Sequence, residues 1–511
     1  MSEQLHFLPE YLTAHLQLTL LALLFSTIIS IPLGIVATRV TWLEPPVLAI
    51  AGVIQTIPSL ALLAVMVPVL AAFDLQSIGF LPAIIGLTLY GVFPVLRNTV
   101  TGIKGIDLAL KEASRGVGMT AFQQLTMVEL PLAMPFIVSG IRTATVWVVG
   151  IATLSTPIGA TSLGNYIFSG LQTRNYTSVL IGCVAAAILA LFLDSLVRAI
   201  EVAIIRRRRG QLAIALVIVV MLYGYAGFTL AAPMIDGRQR PVIVGSKTFT
   251  EQYILSSVIS LWIEHETGRS TSLVQSLGSI VAFDALAAGE IDVYVDYSGT
   301  LWANEMGRAH EKHVERVEVL DEVSQYLEKK HGITLAATLG FENAYALAVR
   351  AVDAERLDLH NVSDLITHAT RFVIGGDYEF FARPEWLEVQ ETYGLRFREQ
   401  RTMDSALMYQ AAATHAVDVI SAFSSDGRIV AYGLQVLKDD RNVLPPYDAV
   451  ILVSARLVND DPAVVEALTR LDGVIDVERM RAMNLRVDRY GQAPSTVASE
   501  FIEELLTTWS R

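Results

Sequence analysis

Six apolar stretches, each long enough to cross a membrane, all fall within the first 235 of 511 residues. We read them over residues 16–38, 47–72, 79–98, 136–158, 179–205 and 212–232. A hydrocarbon core is about 30 Å thick and a helix rises about 1.5 Å per residue, so about 20 apolar residues suffice to span it. Such a run predicts an all-α membrane domain of about six spans, since a helix satisfies its own backbone hydrogen bonds in lipid. The rest of the chain differs in charge. Before residue 240 there are 13 Lys and Arg against 10 Asp and Glu; from Arg240 onward there are 25 against 41. Two physically different halves share one polypeptide, and the acidic half argues against nucleic acid as a partner. The lone cysteine, Cys183, lies in the apolar half, so no disulfide forms within the chain and the acidic half must stand on its own core.

Charge also orients the spans. With the N-terminus outside, the inner loops hold Arg39, Arg97, Lys104, Lys111, Arg115 and Arg206 to Arg209, while the outer loops before the last span hold only Arg174. By the positive-inside rule this direction is the expected one, and six crossings leave everything after Ala232 outside. The expected division is therefore a membrane domain over 1–209, a transmembrane tether and linker over 210–239, and an extracytoplasmic domain over 240–511. The stretch from Arg206 to Ala232 also has the layout of an internal signal peptide. Its apolar run is long for a cleaved signal, so an uncleaved tether is the expected form.

The inner loop between the third and fourth spans carries Glu112-Ala113-Ser114-Arg115-Gly116-Val117-Gly118, followed by Val128-Glu129-Leu130-Pro131-Leu132-Ala133-Met134-Pro135. The first run supplies a short polar helix, its glycines allow a tight turn, and the prolines mark where the next helix starts. This pattern resembles the EAA loop of ABC importer permeases, in which a coupling helix docks on a cytoplasmic ATPase. The resemblance implies ATPase-coupling roles for Glu112, Ala113 and Gly118. The runs Gln55 to Leu63 and Tyr90 to Thr99 are similar to permeases for osmoprotectants such as glycine betaine, carnitine and choline, and this likeness covers nearly all of residues 10–205. No G-x-x-x-x-G-K-[ST] phosphate loop occurs in the chain, so a separate ATPase is the expected partner. Because two permease halves enclose one path, the resemblance implies a homodimer, in a bacterial inner (cytoplasmic) membrane and surrounded by lipid.

Past Pro241, short β-branched runs alternate with helical stretches, the mark of α/β architecture. Val242–Gly245, Ile291–Val295, Phe372–Ile374 and Asp418–Ile420 read as strands, and residues 250–266 and 318–330 as helices. The stretches Val244-Gly245-Ser246-Lys247-Thr248-Phe249-Thr250-Glu251-Gln252 and Ala288 to Thr300 resemble type II periplasmic binding proteins of the glycine betaine/choline group. That resemblance implies two lobes hinged about a cleft, the first over 241–341 and 449–511, the second over 342–448.

Carried over position by position, the resemblance puts Lys247, Thr300 and Arg383 on the ligand carboxylate and Tyr297, Tyr345 and Tyr447 around a trimethylammonium group. A fourth cage tyrosine of the family is replaced here by Phe423, which keeps a ring face and loses a hydroxyl. The chemistry suits these types. A quaternary ammonium has no N–H to donate and is held by aromatic faces, at about 0.5–2 kcal/mol per ring. A carboxylate is held by the Arg fork and the Lys point charge. His310 and His313 share a helical face, but no third ligand follows at suitable spacing, so no metal or cofactor is expected. No catalytic motif is present, so no enzyme is expected. The sequence thus points to an importer subunit for a betaine-like solute, with ergothioneine, itself a betaine, as an alternative cargo. A membrane-tethered solute sensor is the alternative of another class.

Overall fold

The apolar stretches fold as helices in a computed structural model, which describes residues 5, 7–73, 75–173, 175–235, 240–308, 315–377 and 380–509. Arg174, His310 and His313 lie outside the described residues. The chain divides into one unit built on Met1–Phe168 and Tyr176–Gln239 and another built on Arg240–Arg511.

The first unit is helical: α1 (Leu8–Arg39), α2 (Glu44–Thr56), α3 (Ser59–Ala71), α4 (Phe80–Lys104), α5 (Leu108–Gly116), α6 (Leu130–Ala152), α7 (Tyr176–Ile205) and α8 (Arg209–Ile235). The span expected over 47–72 is not one helix. α2 and α3 meet at 102°, because Pro58 drives Ile57 out of the helical region, with ψ at 131°. Arg39 at the end of α1 pairs with Glu129, just before α6, and Lys104 at the end of α4 pairs with Glu44 at the start of α2, at 2.5 Å. These four residues therefore mark one end of the bundle. At the other end the Gly79 N–H, just before α4, donates to the Ile158 carbonyl beyond α6 at 2.7 Å. Five helices are long and apolar enough to cross a membrane, and the bent pair makes six when counted as one span.

A second difference concerns Arg142. The span read over 136–158 puts it near one end, where a long side chain can snorkel. In the structure α6 begins at Leu130, with Pro131 in its first turn where its missing N–H costs nothing. Arg142 is therefore interior, and it donates to Asp194 of α7 at 2.6 and 3.0 Å. The polar loop forms as expected. Asp107 caps α5 by accepting from the Ala109 N–H at 2.9 Å, and Gly118 turns the chain at φ 79°, a conformation that glycine adopts without strain. A π-helical turn at Gln124–Glu129 leads into α6.

The second unit holds two five-stranded mixed sheets. Its strands are β1 (Val242–Lys247), β2 (Thr271–Leu277), β3 (Val293–Tyr297), β4 (Thr334–Glu342), β5 (Tyr345–Arg350), β6 (Val373–Gly376), β7 (Glu399–Thr402), β8 (Val419–Phe423), β9 (Leu434–Val436) and β10 (Asp448–Val453). The first sheet has the order β2-β1-β3-β10-β4 and the second β7-β6-β8-β5-β9. β1 is parallel to β2 and β3, and β6 to β7 and β8, whereas β10 and β5 run antiparallel to their neighbours. β3 and β10 are buried throughout, as expected of sheet strands covered on both faces. The chain passes between sheets twice, at 343–344 and at 437–447, and the Asn343 N–H donates to the Tyr447 carbonyl at 3.0 Å, tying the two crossings together. α9 (Thr250–Thr267) follows β1 and buries Trp262, whose Nε1 donates to the Ala467 carbonyl at 2.7 Å. α10 (Val477–Asp488) is capped by Asp476, which accepts from the Arg479 N–H at 2.7 Å.

Candidate ligand site

Open α/β sheets bind ligands at the carboxyl ends of their strands. Here the ends of β1, β3 and β8 and the start of β5 meet one cavity of about 220 Å³, whose wall includes all seven residues singled out from sequence. Lys247 closes β1, Tyr297 closes β3 and Thr300 follows in the next turn. Tyr345 opens β5 opposite Phe423 at the end of β8, as direct antiparallel partners. Tyr447 and Arg383 come from the second crossing and from the turn before the Pro384–Tyr393 helix.

The rings form a connected set. Tyr345 and Phe423 have centroids 4.9 Å apart, and Tyr447 meets Tyr345 edge-on at 6.1 Å. A fifth ring, not foreseen from sequence, is Phe249. It lies parallel to Phe423 at 6.3 Å and stacks on Tyr297 at 6.2 Å. Its place inside the quoted Lys247–Gln252 run was visible, but only the fold reveals that it joins the aromatic wall.

The two cations expected to hold a carboxylate already have acidic neighbours. Lys247 Nζ is 2.5 Å from Asp296 Oδ1, and both side chains are buried. Arg383 donates to Glu385 at 2.9 and 3.2 Å, and its guanidinium lies 5.0 Å from the Tyr345 ring centre. Tyr447 donates to the same carboxylate at 2.7 Å. Burial raises the Glu385 carboxyl, but Arg383 and the Tyr447 hydroxyl together hold it below the usual carboxylate range.

Glu251, in the first turn of α9, is buried in the cavity wall. Its Oε1 accepts from the Tyr297 hydroxyl at 2.6 Å and Asn343 Nδ2 at 3.0 Å. Its Oε2 accepts from Ser425 Oγ at 2.6 Å and Asn484 Nδ2 at 3.1 Å. Burial pushes the carboxyl above its ordinary range, and the four donors work against that. One side chain thus ties a ring of the first lobe to a crossing strand, to the loop after β8 and to α10. Glu251→Gln puts an amide N–H against one of these donors. An unmade buried hydrogen bond costs about 1–3 kcal/mol, and a loss of that size in urea unfolding of the full chain is the expected result. Beside this network a second buried cluster joins the lobes: Arg428 donates to Asp426 and lies 3.7 Å from Asp488 of α10, which accepts from Thr250 Oγ1 at 2.6 Å.

The chain thus joins a helical bundle with a polar loop after α4 to a domain of two mixed sheets whose cleft is walled by rings, the layout of a membrane permease carrying a binding domain. Residues 240–504 match the family described as the substrate binding domain of ABC-type glycine betaine transport systems, OpuAC, and the chain belongs to that family. Residues 30–210 match the binding-protein-dependent transport system inner membrane component family. Among curated relatives, the ergothioneine transport permease/ergothioneine binding protein EgtU of Helicobacter pylori is 29% identical over 472 residues, covering 90% of this chain and 83% of that one. The glycine betaine/carnitine/choline transport system permease OpuCB of Bacillus subtilis is 42% identical over 180 residues, 35% of this chain and 80% of its own. The carnitine transport binding protein OpuCC of Listeria monocytogenes is 31% identical over 277 residues, 53% of this chain and 89% of its own. The chain is thus an ABC importer permease fused to a betaine-type substrate-binding domain, and these are transporter families, not enzyme families.

Proposed function

We propose that the chain captures a solute bearing a quaternary ammonium and a carboxylate, and forms the membrane path through which a separate ATPase drives its import. The observation that carries this reading is the convergence of Tyr297, Tyr345, Phe423, Tyr447 and Phe249 with Arg383 and Lys247 on one cavity. In this reading the rings face the methylated cation. Arg383, which has five donors, and Lys247 share the ligand carboxylate with Glu385 and Asp296, and Thr300 adds a hydroxyl. The bundle end marked by Arg39 and Glu129 is cytoplasmic, the ATPase docks at Glu112, Ala113 and Gly118, and residues 240–511 lie outside, tethered by 210–239. Two copies enclose the path in a bacterial inner membrane. Closure of the lobes on ligand is the two-state element, and fusion raises the concentration of the receptor near its permease.

Glycine betaine, carnitine and ergothioneine carry both groups and are the candidate solutes; choline, which has the cation but a hydroxyl in place of the carboxylate, is tested beside them. Ergothioneine is favoured as a second reading by one observation: the relative named for it matches both halves of this chain, whereas OpuCB and OpuCC each match one. A sensor without transport is disfavoured because it has no use for a coupling loop. Thermal unfolding of the purified full chain against these four solutes tests the reading. A ligand that binds only the folded state raises the melting temperature, so at least one is expected to do so in a concentration-dependent way. No shift with any of them would contradict it.

A further inference from the structure

Charged side chains at hydrocarbon depth are costly, and they persist where they pair or face water. Two long spans of this chain carry four. Arg142 of α6 donates to Asp194 of α7 at 2.6 and 3.0 Å, and its Nη1 lies 3.7 Å from Glu201. Asp194, Arg198 and Glu201 follow one another at i, i+4 and i+7, which puts them on one face of α7. Their depth is set by the polar bundle end. Arg142 comes 13 residues after Glu129, roughly 20 Å along the helix at about 1.5 Å per residue. Asp194 comes 11 residues before the end of α7 at Ile205, roughly 16 Å. In a core about 30 Å thick, the pair sits near mid-depth, and the stripe runs from there to the polar end.

The bundle does not seal these groups. The side chains of Arg142, Asp194 and Glu201 keep 35%, 21% and 20% of their exposure. Lipid tails offer no hydrogen bonds to such groups. We propose that Arg142, Asp194, Arg198 and Glu201 line a water-filled vestibule that opens at the Arg39–Glu129 end, and that their alternating charges supply counter-ions to both poles of a zwitterionic solute on its way through. The identity of the solute rests on the function proposed above; the water contact does not.

The full chain in nanodiscs provides the test. Cys183, the sole cysteine, is replaced by Ser, and single cysteines are placed on the stripe (Val197→Cys, Arg198→Cys) and on the opposite face of α7 (Phe192→Cys, Ala199→Cys). A charged methanethiosulfonate, which does not enter lipid, is expected to label the first two at least tenfold faster. Equal rates at all four, fast or slow, overturn the vestibule whatever the solute. For the zwitterion role, Asp194→Asn is expected to lower uptake of the solute identified above at least tenfold, with its affinity at the outer cleft unchanged. The exchange Arg142→Asp with Asp194→Arg keeps a pair of reversed polarity and is expected to leave uptake low. Full recovery by the exchange would reduce the pair to a helix tie and overturn its role in the path.

Discussion

Replacing Glu112 with Arg, or Gly118 with Val, is expected to abolish solute uptake while leaving the affinity of the outer cleft unchanged. The reason lies in local geometry. α5 is a short helix with its N-terminus fixed by Asp107, and Glu112, Ala113 and Gly118 lie along it and just beyond. Leu108, Val117 and Phe122 are exposed in the same region, at 68%, 75% and 73%, so the segment offers a mixed polar and apolar face of the kind a partner protein covers. Gly118 holds φ at 79°, and a Cβ added there would meet no heavy atom within 4 Å. A β-branched residue at this position fails through backbone strain, not crowding, and would redirect the chain into the π-turn before α6. Uptake of labelled solute by cells, set beside calorimetry on the purified variants, separates coupling from capture. Normal uptake in both variants would remove the coupling role.

The second large effect is at the cleft. Tyr297→Ala and Tyr447→Ala are each expected to weaken solute binding by about 1–3 kcal/mol, the sum of a lost cation–π contact and lost packing. That is roughly 5- to 150-fold in dissociation constant. Both rings are nearly fully buried, which favours the upper part of the range. Each hydroxyl also serves a carboxylate, Tyr297 that of Glu251 and Tyr447 that of Glu385. The Phe variants separate the two contributions: they keep the ring face and remove only the hydroxyl, so they are expected to lose less than the Ala variants. Equal affinity of wild type and both Ala variants would dispose of the aromatic cage.

Much of this architecture can be read from residue order because its signals are local. Span length is a count of apolar residues, the polar Glu112–Gly118 loop is a contiguous motif, and the strands at Val242 and Val293 announce themselves by β-branched runs. What sequence misread is geometric. Hydropathy averages over Ile57 and Pro58 and cannot see a 102° bend. The span read over 136–158 put Arg142 near its end, whereas α6 starts at Leu130, with Pro131 in its first turn as the prolines had marked. At the site, Phe249 and Glu251 lie inside a run already noticed for Lys247. Their part emerges only when β8, α10 and the crossing at Asn343 fold onto α9, contacts separated by up to 233 positions in sequence. Asp296 as the partner of Lys247, 49 positions away, was missed for the same reason, whereas Glu385 stands only two positions from Arg383 and its part depends on how the turn before the Pro384–Tyr393 helix folds back.

The cleft is expected to recognise a methylated cation through aromatic faces. The most direct test is calorimetric titration of the full chain in nanodiscs with the tightest of the four solutes and with the analogue lacking one N-methyl group. Saturable binding of the fully methylated form, roughly tenfold or more tighter than the analogue, a gap of about 1.4 kcal/mol, is the result expected. Equal affinity for the two, or no heat with either, would contradict it.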